Sequence, residues 1–195
     1  MKHRPIVAAL IGLCTVITAA AQNLTLISSD DNLSSCLIND LYQDSKGYVW
    51  IATEYGLNRS DGTAMTTYYN VPGDSTSLRD NYVHAVLEHR PGKLLVGCLK
   101  GLLEWDRGTQ QFTLIPLTIN GRTVEPHITR IVRLSSGEIW VGTAGYGIFA
   151  LRADGSAAHL DDLPDGLPGE FVSCIFEDST HAVWIGTENH GVIRY

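Results

Sequence analysis

The chain has 195 residues, 44% of them hydrophobic and 18% charged, with 14 basic and 21 acidic side chains giving a formal charge of −7. A charge-poor, apolar chain of this length can bury enough surface to offset its ordering entropy, which excludes intrinsic disorder. Its acidity excludes a basic nucleic-acid binder, and its length admits one domain or a tight pair rather than a multidomain signalling enzyme.

Lys2, His3 and Arg4 precede an apolar run from Ile6 to Thr18, followed by Ala19-Ala20-Ala21. A charged head, an apolar middle and a small-residue exit make residues 1–21 a predicted secretory signal. The run is shorter than the roughly 20 residues a spanning helix needs. Cleavage after Ala21 removes Lys2 and Arg4, leaving 12 of the 14 basic residues against 21 acidic ones. Cys14, which follows the bulky Leu13, is predicted to leave with the signal. Export implies an oxidising compartment. Cys36, Cys98 and Cys174 are nevertheless odd in number and far apart, so they read as small buried hydrophobes and not as a disulfide framework.

The mature region 22–195 repeats. Segments 37–59, 82–104, 127–150 and 171–194 align so that Trp50, Leu95, Trp140 and Trp184 are equivalent, 45, 45 and 44 residues apart. Twelve residues before each stand Ile38, Val83, Ile128 and Val172, and nine before stand Leu41, Val86, Ile131 and Ile175. Two after stand Ala52, Gly97, Gly142 and Gly186. A period near 45 with β-rich copies predicts propeller blades.

In the first copy the predicted strands are 38–43, 48–53, 57–60 and 65–70, separated by turns at Ser45-Lys46-Gly47, Glu54-Tyr55-Gly56 and Asp61-Gly62. The fold class is therefore all-β: four four-stranded antiparallel repeats forming β-propeller blades. They span about 33–70, 78–117, 124–160 and 167–195, and the last ends after its third strand. Leu24–Ile27 resembles a fourth strand able to complete that blade. Both faces of a blade pack on neighbours, so Trp50, Trp140 and Trp184 are predicted to fill the wedges between blades. The small residues two places later leave room for a neighbouring side chain, and Leu95 keeps the packing without the aromatic ring.

These residues carry a family resemblance. The pattern D-x-x-G-x-x-W-[IV]-[AG]-T followed by G-[LIV] resembles the two-component regulator propeller repeat. The first copy supplies Asp44, Gly47, Trp50, Ile51, Thr53, Gly56 and Leu57. The third supplies Gly137, Trp140, Val141, Gly142, Thr143, Gly147 and Ile148, and the fourth Asp178, Trp184, Ile185, Gly186, Thr187, Gly191 and Val192. The second departs with His89, Leu95 and Cys98, and the fourth has His181 in place of Gly. An Asp-box of the sialidase type does not fit, because Ser45 stands where its Asp belongs.

The resemblance implies a periplasmic sensor region of a hybrid histidine kinase that controls polysaccharide-utilisation genes. Its implied ligand is an oligosaccharide, and its partners are the rest of the sensor kinase chain or a homodimer partner. Such proteins carry seven-bladed propellers followed by a β-domain, a membrane helix and a kinase. The chain is accordingly expected to be an amino-terminal portion forming an open arc, with a small closed four-bladed ring as the other reading.

In a propeller the links between blades share a rim with the turns between second and third strands. That topology puts Tyr55, Lys100, Tyr146, Asn189 and His190 on one rim with Arg79 of the 73–81 link, and these six are the predicted ligand-binding set. Tyr and His stack on sugar faces, whereas Lys, Asn and Arg donate to hydroxyls or carboxylates. Loops on a rigid scaffold are where binding residues concentrate.

Catalysis is not predicted. Glycoside hydrolysis needs two carboxylates roughly 5–9.5 Å apart, and Glu54 and Glu188 stand in the first and last copies. Asp30-Asp31 and Asp161-Asp162 read as solvated loop charges. The histidines at 84, 89, 127, 159, 181 and 190 lack HxH or HExxH spacing, so no metal or cofactor is expected. The alternatives to a sensor are a protein-binding scaffold and a propeller polysaccharide lyase.

Overall fold

A computed structural model describes residues 25–152, 154–160 and 171–195; the predicted signal, Leu24 and Asp161-Asp162 lie outside them. After a single 3-10 turn at Ser29–Asp31, capped by Ser28, the chain forms β1 (Ile38–Gln43), β2 (Val49–Thr53), β3 (Gly56–Ser60) and β4 (Met65–Tyr68). The second sheet holds β5 (Val83–Arg90), β6 (Lys93–Cys98), β7 (Gly101–Asp106) and β8 (Gln111–Ile115). A hairpin follows that the repeat pattern did not predict: β9 (Leu117–Ile119) and β10 (Arg122–Val124). The third sheet is β11 (Ile128–Arg133), β12 (Ile139–Thr143), β13 (Ile148–Leu151) and β14 (Ala157–His159). The fourth has three strands: β15 (Val172–Glu177), β16 (Val183–Thr187) and β17 (Val192–Arg194). Every sheet is an antiparallel meander in chain order. Thr25–Ile27 joins none of them, and Leu26 is 86% exposed.

The repeat motif is a set of pins. Asp44 accepts at Oδ1 from the backbone N–H groups of Lys46 and Tyr48, closing the β1–β2 turn, and at Oδ2 from the Trp50 indole at 2.9 Å. Asp178 does the same for Thr180, Ala182 and Trp184. The threonine after the small residue closes the next turn: Thr53, Thr143 and Thr187 donate to the carbonyls of Gly56, Gly147 and Gly191. Gly47 and Gly137 take φ near +90° in the first turn, a conformation that costs an L side chain about 1–2 kcal/mol. His181 occupies that place in the fourth copy and adopts φ 66°, so the departure changes the residue and keeps the turn.

Sheets stack through the same positions at each junction. A methyl on Gly97 would fall 2.6 Å from Ile128 Cγ2 of the next sheet, and one on Gly142 would fall 2.9 Å from Val172 Cγ1. Three apolar clusters result, one per junction, centred on Trp50 with Trp105, on Leu95 with Phe149, and on Trp140 with Ile185. Leu95 is fully buried, as its packing role requires.

The two ends of the row are uncovered. Ile38 and Leu41 of β1 are exposed, although their counterparts in the other three sheets are buried. Trp184 is 38% exposed, against 0% for Trp50 and 4% for Trp140. This corrects the wedge prediction for Trp184: among the described residues no further sheet covers the last one. The cysteine prediction is corrected as well. Cys98 is buried, where desolvation pushes its thiol up, but Cys36 and Cys174 are exposed free thiols.

Candidate functional site

The first strand of each sheet carries a bulge at one repeated position. Pairing with the second strand shifts between Ile38 and Asp40, Val83 and Ala85, Ile128 and Arg130, and Val172 and Cys174. A bulge leaves its extra residue unpaired and re-aims the side chain. Those residues are Asn39, His84, Thr129 and Ser173. Asn39 reaches across to donate to the Val83 carbonyl at 2.8 Å, and Thr129 donates to the Val172 carbonyl at 2.5 Å. Both thereby tie one sheet to the next.

In the second sheet the same bulge aims an imidazole. His84 Nδ1 lies 3.3 Å from His127 Nε2, and the two rings meet edge to face with centroids 5.1 Å apart. Tyr82 stacks on His84 at 5.9 Å and meets His127 edge-on at 5.8 Å; Phe171 extends the row beyond His127 at 6.4 Å. Tyr82, His127 and Phe171 are equivalent residues, each immediately before the buried first anchor of its strand. Four half-buried rings thus run along the starts of three successive inner strands. The motif positions do not contain this arc. Its signal in the sequence is that one register position holds an aromatic or imidazole ring in three copies and Leu37 in the first.

The turns between second and third strands converge on the same edge. Leu99 N–H donates to Tyr82 O, Ala144 N–H to His127 O and Glu188 N–H to Phe171 O, so each turn is bonded to the residue that begins the arc in its sheet. Tyr55, Lys100, Tyr146, Asn189 and His190 sit on these turns. Arg79 forms a two-pronged bond to the Glu125 carboxylate, both contacts 2.8 Å, and Lys100 pairs with Asp80 at 3.3 Å. Arg79 and Lys100 share a cleft of about 420 Å³ with residues 70–75. Tyr55 leans on Tyr69, with ring centroids 5.8 Å apart, and its neighbour Glu54 accepts from the Tyr82 hydroxyl at 3.4 Å.

Tyr146 lines a second cleft, of about 530 Å³, with Asn120 and Arg122 of the β9–β10 hairpin and with His159. Asn189 and His190 lie on the last turn, outside both clefts. The six predicted residues are therefore distributed along one rim and do not form a single pocket.

Burial, with His127 and Arg130 close by, pulls the His84 imidazole down to about 4. His127 is also lowered by burial, against an opposing pull from Asp80. Both rings are then neutral at pH 7, so one can donate to the other. A folded-state value below the unfolded value near 6.5 gives stability that is complete above that pH and lost as pH falls toward 4. The thermal midpoint is expected to drop between pH 6.5 and 4, and His84→Gln should flatten that part of the profile. An unchanged slope in the variant would place the titration elsewhere.

No group of three or more His, Cys, Asp or Glu side chains able to hold a metal ion exists among the described residues. Nor does any described helix have the length and hydropathy to cross a membrane.

Comparison with known proteins agrees with this architecture. The two-component regulator propeller family model matches residues 32–55 and 166–189, the first and fourth copies. A histidine kinase of Formosa agariphila, "Histidine kinase P4", is 38% identical over 66 residues, which is 32% of this chain and 5% of that protein. The extracellular domain assigned to a hybrid two-component system of B. thetaiotaomicron superposes with a TM-score of 0.75 at 25% identity, over 87% of this chain and 24% of that one. The extracellular domain of a B. thetaiotaomicron one-component system shares the fold, with a TM-score of 0.69 at 22% identity over 88% of this chain and 26% of that one. The chain thus spans about a quarter of the length of these solved domains. The family-model match thus takes in two of the four repeats, and the other two are built on the same strand register and packing positions.

Proposed function

We propose that this chain is part of the ligand-sensing propeller of an extracellular receptor in a hybrid two-component system, and that it recognises an oligosaccharide. The observation that carries the reading is the arc of Tyr82, His84, His127 and Phe171 on the rim where the second-to-third-strand turns meet. Ring faces stack on the apolar faces of pyranoses, and the flanking Glu54, Arg79 and Lys100 offer acceptors and donors to hydroxyl groups. Binding would shift a two-state equilibrium toward the state that the ligand prefers, passing the signal to the remainder of a sensor kinase or to a dimer partner. The similarity to extracellular domains of such systems supports an export-side location.

Calorimetric titration of the purified chain with a panel of gluco-, xylo-, galacto- and arabino-oligosaccharides tests the reading. At least one should bind, and Tyr82→Ala or Phe171→Ala should weaken it roughly 2- to 12-fold, the loss of a ring contact worth roughly 0.5–1.5 kcal/mol. The thermal midpoint should fall by no more than a few degrees, about 2–4 °C for each kcal/mol of lost ring contact, so that both variants stay folded. Tyr146→Ala with His190→Ala measures whether the outer turns take part. Affinity untouched by all four substitutions would remove the rim from the site.

A further inference from the structure

The link from the second sheet to the third departs from the repeat. Residues 69–82, which join the first sheet to the second, contain no strand, whereas 116–127 fold into the β9–β10 hairpin. An insertion carried by one copy adds nothing to the stacking that all copies share, and in repeat folds insertions collect on one face, often the binding face. The hairpin is firmly mounted. Leu117 is 1% exposed within the middle apolar cluster, Ile119 and Val124 pack against that cluster, and β9 lies beside β14, the outer strand of the third sheet. Asn120 and Gly121 form its two-residue tip, with φ of 50° and 75°, the positive pair that matches the twist of two joined strands.

Mounted this way, the hairpin is one wall of the 530 Å³ cleft, and the 144–147 turn with Tyr146 is the other. Asn120 and Arg122 are exposed, and their side chains bond to no described residue. Tyr146 is 40% exposed, and its ring stacks on no other among the described residues. The turn that carries it is braced from both sides. His159 Nε2 lies 3.0 Å from the Tyr146 carbonyl at the outer strand, and Ala144 N–H donates to His127 O at 2.9 Å at the inner one. One short turn therefore separates the aromatic arc from the cleft, with His127 on its inner side and Tyr146 on its outer side. A ring face suits the apolar face of a pyranose, and a guanidinium and an amide supply donors for its hydroxyl oxygens.

We propose that this cleft is an outer subsite, taking a further sugar unit of the oligosaccharide held on the arc, with Tyr146 stacking on that unit and Arg122 and Asn120 bonding to its hydroxyls. Longer chains are then bound more tightly than short ones. The inference rests on the function proposed above and adds to it a preference for chain length.

Calorimetric titration with matched di- to hexasaccharides of the gluco, xylo, galacto and arabino series tests it. In a series that binds, affinity should rise with length in the parent chain. Tyr146→Ala and Arg122→Gln should each lower hexasaccharide affinity roughly 2- to 12-fold, the range for one such contact, and leave disaccharide affinity unchanged. Tyr146→Phe should retain the gain. Tyr82→Ala should instead weaken both lengths, because the arc holds the part they share. Arg122 is exposed, so its variant folds as the parent does. The Tyr146 ring resonances should move with hexasaccharide and stay in place with disaccharide. Affinity independent of length, or a length gain kept in full by both Tyr146→Ala and Arg122→Gln, would overturn the subsite and leave the sensing function standing. Failure of every sugar, at every length, to bind the parent chain would overturn that function and the subsite with it.

Discussion

Replacing Trp50 by alanine is expected to lower the unfolding free energy by about 3–5 kcal/mol, the range for a large aromatic removed from a packed core. The indole is fully buried. It meets Trp105 edge-on at 4.7 Å and stacks on Tyr68 at 5.8 Å, so its loss opens a void between two sheets and not at the margin of one. Urea denaturation followed by circular dichroism measures the change. Trp184→Ala is the matched comparison. Its indole makes the same bond to an aspartate, at 2.8 Å to Asp178, but 38% of the residue is exposed. Its cost should be well under half as large. Equal costs would mean that the hydrogen bond, and not the burial, is what the tryptophan contributes.

Asp44→Ala should be the next most damaging change, at about 3 kcal/mol, the lower end of the range for removing one partner from a buried ion pair. The Asp44 side chain is fully buried and lies 2.7 Å from Arg107, which keeps about a quarter of its own side chain exposed; that exposure softens the penalty for the orphaned guanidinium. The alanine also strands the Trp50 indole and the N–H groups of Lys46 and Tyr48. Burial pushes the Asp44 carboxyl up, but the bonds from Trp50, Lys46 and Tyr48 together with Arg107 outweigh it and hold the group below the usual carboxylate range. Its stabilisation is therefore present above pH 4 and lost as pH falls below that. Denaturation midpoints measured from pH 5 to 2 should fall less steeply in Asp44→Ala than in the parent chain. Parallel curves would refute the assignment.

The repeat made most of the fold legible. Strand positions follow from the spacing of Ile38, Leu41, Trp50 and Ala52 and their equivalents, because packing one sheet on the next demands an apolar residue or a gap at fixed intervals. The β9–β10 hairpin escaped because it occurs once, so no second copy marks it. Trp184 was misplaced because a sequence motif records which residue fills a wedge and not whether a neighbour is there to form one. Cys36 and Cys174 escaped for a similar reason, since an apolar side chain reads as buried until the sheet order shows which faces lie at the ends of the row. The third copy shows another limit. Leu134 replaces the pinning aspartate, and Trp140 is buried even so, its indole N–H without a partner among the described residues; apolar packing alone holds that ring.

The geometry of the candidate site was legible in part. Topology alone placed Tyr55, Lys100, Tyr146, Asn189 and His190 on turns of one rim. The inner arc was not legible, because His84 points where it does only through a backbone irregularity that single-residue patterning cannot reveal.

The repeated bulge has a consequence for how such a protein diversifies. Asn39, His84, Thr129 and Ser173 are four different residues on one unchanging kink of the backbone, held outside the ladder of main-chain pairing. At Asn39 and Thr129 the side chain on that kink ties one sheet to the next, whereas at His84 it turns to neighbouring rings and can be rewritten without touching those ties. A repeat built this way can change what its rim presents without having to refold.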